Sequence, residues 1–353
     1  MIEQKLKLVH LQLTYKCNLH CYFCGQWGEH GYLKNQKIID LTFDDWKNII
    51  NQLIDINSDK TLPEIIIWGG EPFLYPDIKK ILKYLFENNF KIAIVTNGVL
   101  IDKFINEINK YINTLYVSLD GYKDTHEQIR GVSNIFDKII INVNSINNNK
   151  VKIVCLFTIN KLNYNLILKF PNYLENNNFN KIVLQNLIFY TEKQRINYDK
   201  WLKKEFQITK TNSISWEIKK FDNYINDLPG IFNNLQKNIK ANKYKIKVEL
   251  FPFEINDKTI KNWYSEFDFT NYISGRKENY CYSPFNHIQI YANGDVNYCV
   301  DFNDFTAGNV ISEKIETIIN NKKSEKFKNE VFNNNNPSCI HCPWRYNTEF
   351  IIN

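Results

Sequence analysis

Three cysteines, Cys17, Cys21 and Cys24, stand in a C-x3-C-x2-C spacing within the stretch CNLHCYFC. Thiolates bind zinc and iron–sulfur clusters, and the number of ligands separates the two chemistries. A structural zinc closes a tetrahedron with four ligands, so zinc here would have to recruit His10, His20 or a distant cysteine. A cubane held by three thiolates instead keeps one iron open to a chelating ligand. The triad alone leaves both readings standing.

Four more cysteines, Cys281, Cys299, Cys339 and Cys342, form a second group in a C-x12-G-x4-C plus C-x2-C arrangement. Four thiolates complete a closed metal site, and zinc ribbons share such spacings. The eighth cysteine, Cys155, sits alone in VKIVCLFTI. A buried thiol there is ordinary core packing, but facing a barrel interior it would be a candidate hydrogen-atom donor to a product radical. Eight cysteines without a signal peptide point to metal or redox chemistry in the cytoplasm rather than to disulfides. The only methionine is the initiator, so thioether ligation is excluded.

The elements that must position these groups follow from hydrophobic periodicity. LKLVHLQLT alternates as a strand does and leads directly into the cysteine triad. Thr42, with Asp45 three residues on, opens an amphipathic helix carrying Phe43, Trp46, Ile49, Ile50 and Leu53. EIIIW reads as a buried strand ended by Gly69-Gly70-Glu71-Pro72. KIAIVT, closed by Asn97-Gly98, and LYVSL, running into Asp120-Gly121, read as the next two strands. Residues 151–159 and 181–185 read as two more, with helices at 77–89, 100–110, 135–147 and 163–177 between them. Six strand–helix units of this kind predict an α/β fold with a parallel sheet, a partial (βα)6 TIM-like barrel whose chemistry lies at the C-terminal strand ends. Both the triad and the GGEP turn then sit on the same rim, where glycines let backbone approach a ligand closely.

These motifs, in this order, resemble the radical S-adenosylmethionine (SAM) superfamily over roughly residues 6–190. The resemblance implies that Cys17, Cys21 and Cys24 hold a [4Fe-4S] cluster whose open iron chelates the methionyl amine and carboxylate of SAM. It implies that Phe23 lies near the adenine and that Gly69, Gly70, Glu71 and Pro72 receive the SAM ammonium through Glu71. Ser118 and Asp120 match the ribose and methionyl contacts, and Arg130 the arginine that holds the SAM carboxylate. Thr96 with Asn97, and Gln185, stand at the matching ends of strands three and six. The C-terminal group resembles the SPASM/Twitch extension, a β-hairpin and helix unit that would hold one auxiliary [4Fe-4S] cluster. The longer SPASM pattern has further cysteines where this chain has Thr348 and Ile352, which favours the shorter Twitch type. An electron donor such as a flavodoxin or ferredoxin is implied as partner.

Composition limits the function classes. Hydrophobic residues make up 44% and aromatic residues 15% of 353 positions, as in a folded globular chain. No apolar run approaches a membrane span. The net charge of +6 is spread among Ile and Asn, without the focused patch that nucleic-acid binding needs. The reading divides the chain into a core barrel at 1–194, an extension of that core at 195–275 and the auxiliary-cluster domain at 276–353. The sequence starts directly at strand one, without the winged-helix leader-binding domain common in peptide-modifying relatives. That tilts the expected substrate toward a small molecule undergoing a redox modification, with radical modification of a peptide as the alternative. A non-catalytic zinc or iron–sulfur scaffold is the competing class. His341, inside the C-x2-C loop, is expected to be exposed, and Trp27 is expected to be an apolar wall of the SAM or substrate pocket.

Overall fold

The computed structural model describes residues 5–34, 38–56, 61–147, 149–218, 221–252, 256–265 and 281–346. Among the described residues ten strands make one sheet, in the order β10-β9-β8-β1-β2-β3-β4-β5-β6-β7. The six expected strands are β1 (Leu8–Gln12), β2 (Glu64–Trp68), β3 (Ile92–Thr96), β4 (Thr114–Ser118), β5 (Lys152–Ile159) and β6 (Lys181–Asn186), each parallel to its neighbour. β7 (Lys247–Phe251) continues the parallel sheet beyond β6, so the segment after residue 195 supplies a seventh strand. At the other edge β8 (His287–Ile290) pairs parallel with β1, and β9 (Asp295–Asn297) and β10 (Gly308–Asn309) follow antiparallel. The cysteine-bearing hairpin is therefore an extension of the barrel sheet itself. It turns at Gly294, whose φ of +87° suits the Asn-Gly-Asp sequence.

Helices cover the outside of the parallel strands. α1 (Phe43–Ile56) starts with a reciprocal cap in which Asp45 N–H donates to Thr42 Oγ1 (3.2 Å) and Thr42 N–H to Asp45 Oδ2 (2.9 Å). α2 (Ile78–Glu87), α3 (Ile105–Tyr111), α4 (Lys123–Arg130), α5 (Phe136–Asn144) and the short α6 (Phe170–Leu174) complete the crossovers. α7 (Glu192–Phe206), α8 (Leu228–Lys240), α9 (Ile260–Trp263) and α10 (Ser283–Asn286) lie between β6 and β8. After the hairpin, the helical segment divides into α11 (Ile315–Asn320) and α12 (Lys322–Phe332). Asn321 leaves the helix there and caps α12 by accepting from Ser324 N–H at 2.8 Å. α13 (Pro343–Tyr346) ends the described chain.

The strands are two-faced. Val9, Leu11, Ile65, Ile67, Leu115, Val117, Ile153 and Cys155 pack outward into the main core against the helices. Leu8, Ile66, Ala93, Tyr116, Val154, Val183 and Phe251, one from each of β1 to β7, form a separate inner layer. That layer is the floor of the barrel interior, and everything above it at the C-terminal strand ends is available to line a site. Among the described residues, no helix is long and apolar enough to cross a membrane.

Candidate active site: two joined cavities at the strand ends

Cys17, Cys21 and Cys24 lie on the turn-rich loop after β1 and line a cavity of about 230 Å³ at the rim. Gly69 and Gly70 bring the turn after β2 against the stem of this loop. Gly70 N–H donates to Thr14 O (3.1 Å) and Glu71 N–H to Lys16 O (2.7 Å). A Cβ on Gly70 would lie far inside contact distance of the Lys16 carbonyl oxygen, and Gly69 has φ +133°. Both positions thus require glycine for packing the two loops together.

The expected contacts Phe23, Asn97, Ser118, Arg130 and Gln185 all line the cysteine cavity, together with Thr96. Asn97 is held by its own side chain, whose Nδ2 donates to Asn18 Oδ1 on the cysteine loop at 2.8 Å. Arg130 ends α4, stopped by Gly131 in the left-handed region at φ +70°. Its Nη1 donates to Cys21 Sγ at 3.5 Å, and its guanidinium lies 5.7 Å from the Phe23 ring centre.

Two carboxylates depart from expectation. Glu71 is fully buried and does not face the cavity. Its Oε1 accepts from Thr96 Oγ1 (2.8 Å) and Phe73 N–H (3.2 Å), and its Oε2 from Asn97 N–H (2.8 Å). The side chain is spent on tying the β2 turn to the end of β3, so it is not placed to take an ammonium. Pro72 likewise is buried, at the start of the short helical turn that Glu71 caps. Asp120 also points away from the cavity. Its Oδ2 pairs with Arg130 Nη2 at 2.6 Å and its Oδ1 accepts from Thr158 N–H at 2.8 Å. It positions Arg130 rather than touching a ligand.

Burial raises the Glu71 carboxyl to about 7, against the pull of its three donors. The folded pKa lies above the ordinary value of 4.5, so the folded chain holds this proton more tightly than the unfolded one. The contribution to stability is then fully present below about pH 4.5 and lost as pH rises through about 7. Glu71→Gln should cost about 1–3 kcal/mol, because an amide NH2 would face the Asn97 N–H. It should also flatten the fall of the anaerobic unfolding midpoint between pH 5 and 8. Equal pH slopes in parent and variant would contradict this role.

Cys155 faces the helices. It is buried in the outer core with its Sγ 3.5 Å from Leu119 O, while its neighbours Val154 and Leu156 point inward. It lines neither cavity, which removes it as a hydrogen-atom donor. The alternation of β5 puts it on the wrong face.

The second cysteine group gathers around the hairpin. Cys281 precedes α10, Cys299 follows β9, and Cys339 and Cys342 lie on a helical turn at Pro337–His341 and its cap. Asn297 shapes the loop at Cys299, its Oδ1 accepting from Cys299 N–H (3.2 Å) and its Nδ2 donating to Phe302 O (2.9 Å). Burial pushes the Cys299 and Cys342 thiols well up; Cys342 feels the other three cysteines and Cys299 feels Cys281 and Cys339, so the four share one locus. His341 is buried rather than exposed. It stacks on Phe189 at 4.1 Å, and its Nε2 contacts Ser265 O at 2.9 Å, because the turn packs inward against the continuation of β6. Thr348 and Ile352 lie outside the described residues.

The donor sets fit iron–sulfur clusters. Among the described residues no histidine lines the cysteine cavity: His20 is exposed and His10 belongs to the barrel interior, so neither histidine that zinc would recruit is supplied there. Cys17, Cys21 and Cys24 would hold a cubane through one thiolate per iron, and the cluster would supply one iron open to a chelating ligand. Burial raises Cys17 to about 12 and Cys24 above its usual range, so loading must displace thiol protons.

Three groups of residues were not legible beforehand. Trp216, from a helical turn in the 195–275 segment, caps the cavity by lying flat on Gly25, where any Cβ would strike its ring. Trp27 is no cavity wall; it anchors its loop through Nε1 to Tyr15 O at 2.9 Å, and Gly25, Gln26 and Tyr32 line the cavity instead. A second cavity of about 240 Å³ lies deeper in the barrel, lined by His10, Trp68, Tyr116, Phe251 and Trp344 among others. The two cavities share Phe23, Trp68, Val95, Ser118, Arg130, Thr158, Gln185 and Asp301 and so form one chamber with an outer and an inner lobe.

Comparison with known proteins agrees with this geometry. The sequence model of the radical SAM superfamily matches residues 11–167, and that of the SPASM iron-sulfur cluster-binding domain matches residues 281–343. An Fe-coproporphyrin III synthase of Methanosarcina barkeri is 29% identical over 189 residues, 53% of this chain and 45% of that protein. An S-adenosylmethionine-dependent nucleotide dehydratase of Selenomonas ruminantium is 36% identical over 116 residues, 32% of this chain and 39% of that protein. The chain thus aligns with less than half the length of either relative. Crystal structures of Streptococcus suis SuiB bound to S-adenosylmethionine and to the precursor peptide SuiA superpose with TM-scores of 0.63 at 18% and 19% identity, covering 92% of this chain and 68% and 67% of SuiB. At that identity they show a shared fold. With residues 11–167 matching the first model and residues 281–343 the second, the chain belongs to the radical SAM superfamily and carries a SPASM-type iron–sulfur cluster-binding domain.

Proposed function

We propose that this chain oxidises a small molecule held in the inner lobe, using SAM in the outer lobe and one auxiliary cluster beside the hairpin. When bound, these groups supply a 5′-deoxyadenosyl radical and an acceptor for one electron. The chain's own residues orient and enclose. Arg130 and Phe23 lie on the wall common to both lobes, Trp216 caps the outer lobe against water, and the inner aromatic wall holds the substrate. Asp301, two positions after Cys299, reaches the same chamber and links the auxiliary site to it.

The observation that supports this reading is the shared wall of the two lobes: a substrate in the inner lobe would lie next to a SAM molecule held at the triad. The names of the curated relatives, a porphyrin synthase and a nucleotide dehydratase, favour small-molecule chemistry. Modification of a peptide is the second reading, favoured by the likeness in fold to SuiB, which binds a precursor peptide. A flavodoxin or ferredoxin would donate the electrons.

Anaerobically reconstituted protein should hold about eight irons and eight sulfides, two cubanes' worth. With SAM and a strong reductant it should release 5′-deoxyadenosine. Stoichiometric zinc in place of iron, or intact SAM under these conditions, would overturn the reading and favour a scaffold.

A further inference from the structure

We propose that the inner lobe is a recognition site for one planar aromatic ring carrying a single hydrogen-bonding group, a phenol or an indole, with His10 Nε2 as that group's partner. This deepens the functional reading above and rests on it.

The walls are aromatic. Trp68, Tyr116, Phe251 and Trp344 surround the lobe, with Leu156 and Val183 between them. Rings of this kind pack other rings by offset and edge contacts, which fix a flat ligand more closely than a flexible chain. The volume of about 240 Å³ is below the range of about 300–1,000 Å³ usual for drug-sized ligands. It suits a one- or two-ring group and is too small for a whole macrocycle. The charged side chains on the lobe, Arg130 and Asp301, both lie on the wall shared with the outer lobe. The deep part is uncharged, which disfavours phosphate-bearing groups there.

His10 is the polar exception. It comes from the middle of β1, and its ring meets those of Trp68 and Trp344 edge-on at 6.1 and 5.3 Å. Its Nδ1 pairs with His287 Nε2 at 2.6 Å, and His287 Nδ1 pairs with Ser283 Oγ at 3.0 Å. Trp344 stacks on His287 and fixes that ring in turn. One nitrogen of His10 is thus committed to a held partner, and no hydrogen bond to Nε2 forms among the described residues. Burial, reinforced by the neighbouring His287, lowers His10 well below 6.5, so the pair is neutral at pH 7. A neutral imidazole held this way can accept from a phenol O–H or an indole N–H, or donate to a carbonyl in its other tautomer. The other titratable groups on the lobe are Tyr116, Arg130 and Asp301.

The test uses anaerobic holoprotein with p-cresol, toluene and Gly-Tyr-Gly as probes, read by titration calorimetry and ligand-observed NMR. The parent should bind p-cresol about fivefold more tightly than toluene, the worth of one net hydrogen bond. In His10→Phe the ratio should fall to near one with toluene affinity kept, and His10→Gln should restore part of it. Trp344→Leu should weaken both ligands alike. Equal affinity for p-cresol and toluene in the parent, or discrimination surviving in His10→Phe, overturns the proposal, as does binding of neither p-cresol nor Gly-Tyr-Gly. Binding of p-cresol alone supports it with a free small molecule as the source of the ring, and binding of both supports it with a side chain as the source. Release of 5′-deoxyadenosine in the same preparations is read separately. Its absence with ring binding intact would sink the functional reading and leave the ring site standing.

Discussion

Replacing Cys17, Cys21 and Cys24 by Ala is expected to bring reductive cleavage of SAM to background while leaving roughly half of the iron in place. The three thiols line one cavity, with the Cys21 sulfur facing the Arg130 guanidinium at 3.5 Å. The other four grouped cysteines, Cys281, Cys299, Cys339 and Cys342, gather at the hairpin, and none of them lines the cavity of the triad. Loss of the triad therefore removes one cubane of two and all the chemistry that depends on an open iron. Cys155→Ala is the matched control, because that thiol packs against the helices and should cost stability without lowering 5′-deoxyadenosine per intact cluster. Iron and sulfide content with chromatography of the nucleoside products decides the matter. Cleavage surviving in the triple variant, or a loss of all eight irons together, would show that the two cysteine groups are not the independent sites described here.

The contrast between these groups and the rest of the site explains what the sequence discloses. Thiol spacing and the GGEP turn are legible because few residue types substitute for them: thiolates are the usual ligands of a cluster, and the loop contact at Gly70 tolerates no Cβ. The strands were legible because β-branched and apolar residues run through EIIIW and KIAIVT at the right length. Side-chain direction was not. Glu71 and Asp120 were correctly placed at the rim, yet both turn into the protein, since a carboxylate at a strand end serves a backbone donor or an arginine as well as a ligand. α4 escaped notice because KDTHEQIR is almost entirely polar, and its helix is fixed by Gly131 and by burial of His126, Ile129 and Arg130. The inner lobe was hidden for a different reason. LKLVHLQLT shows that Leu8, His10 and Gln12 share a face, but only closure of an eight-strand parallel arc, with Phe251 and Trp344 arriving from weakly patterned segments, turns that face into a cavity.

Arg130→Leu is expected to destabilise the protein by about 3–5 kcal/mol and to abolish SAM binding, two effects with different origins. Asp120 is fully buried, and its Oδ2 has the Arg130 guanidinium at 2.6 Å as its counter-charge. Without that partner only Thr158 N–H at 2.8 Å and the backbone around it remain, and burial drives the carboxyl to take up a proton. The stability loss should therefore shrink as pH falls, because a protonated Asp120 no longer needs the counter-charge. Asp120→Leu combined with Arg130→Leu removes both charges and should recover most of the lost stability, as apolar replacement of a buried ion pair does elsewhere. It should not recover SAM binding, because the guanidinium on the chamber wall is still missing. Denaturant unfolding and calorimetric titration with SAM, both on anaerobic holoprotein, separate the two losses. Recovery of binding in the double variant would mean that Arg130 acts only by satisfying Asp120, whereas a change in stability below about 1 kcal/mol in Arg130→Leu would mean that the buried pair is not the support of the rim that its geometry indicates.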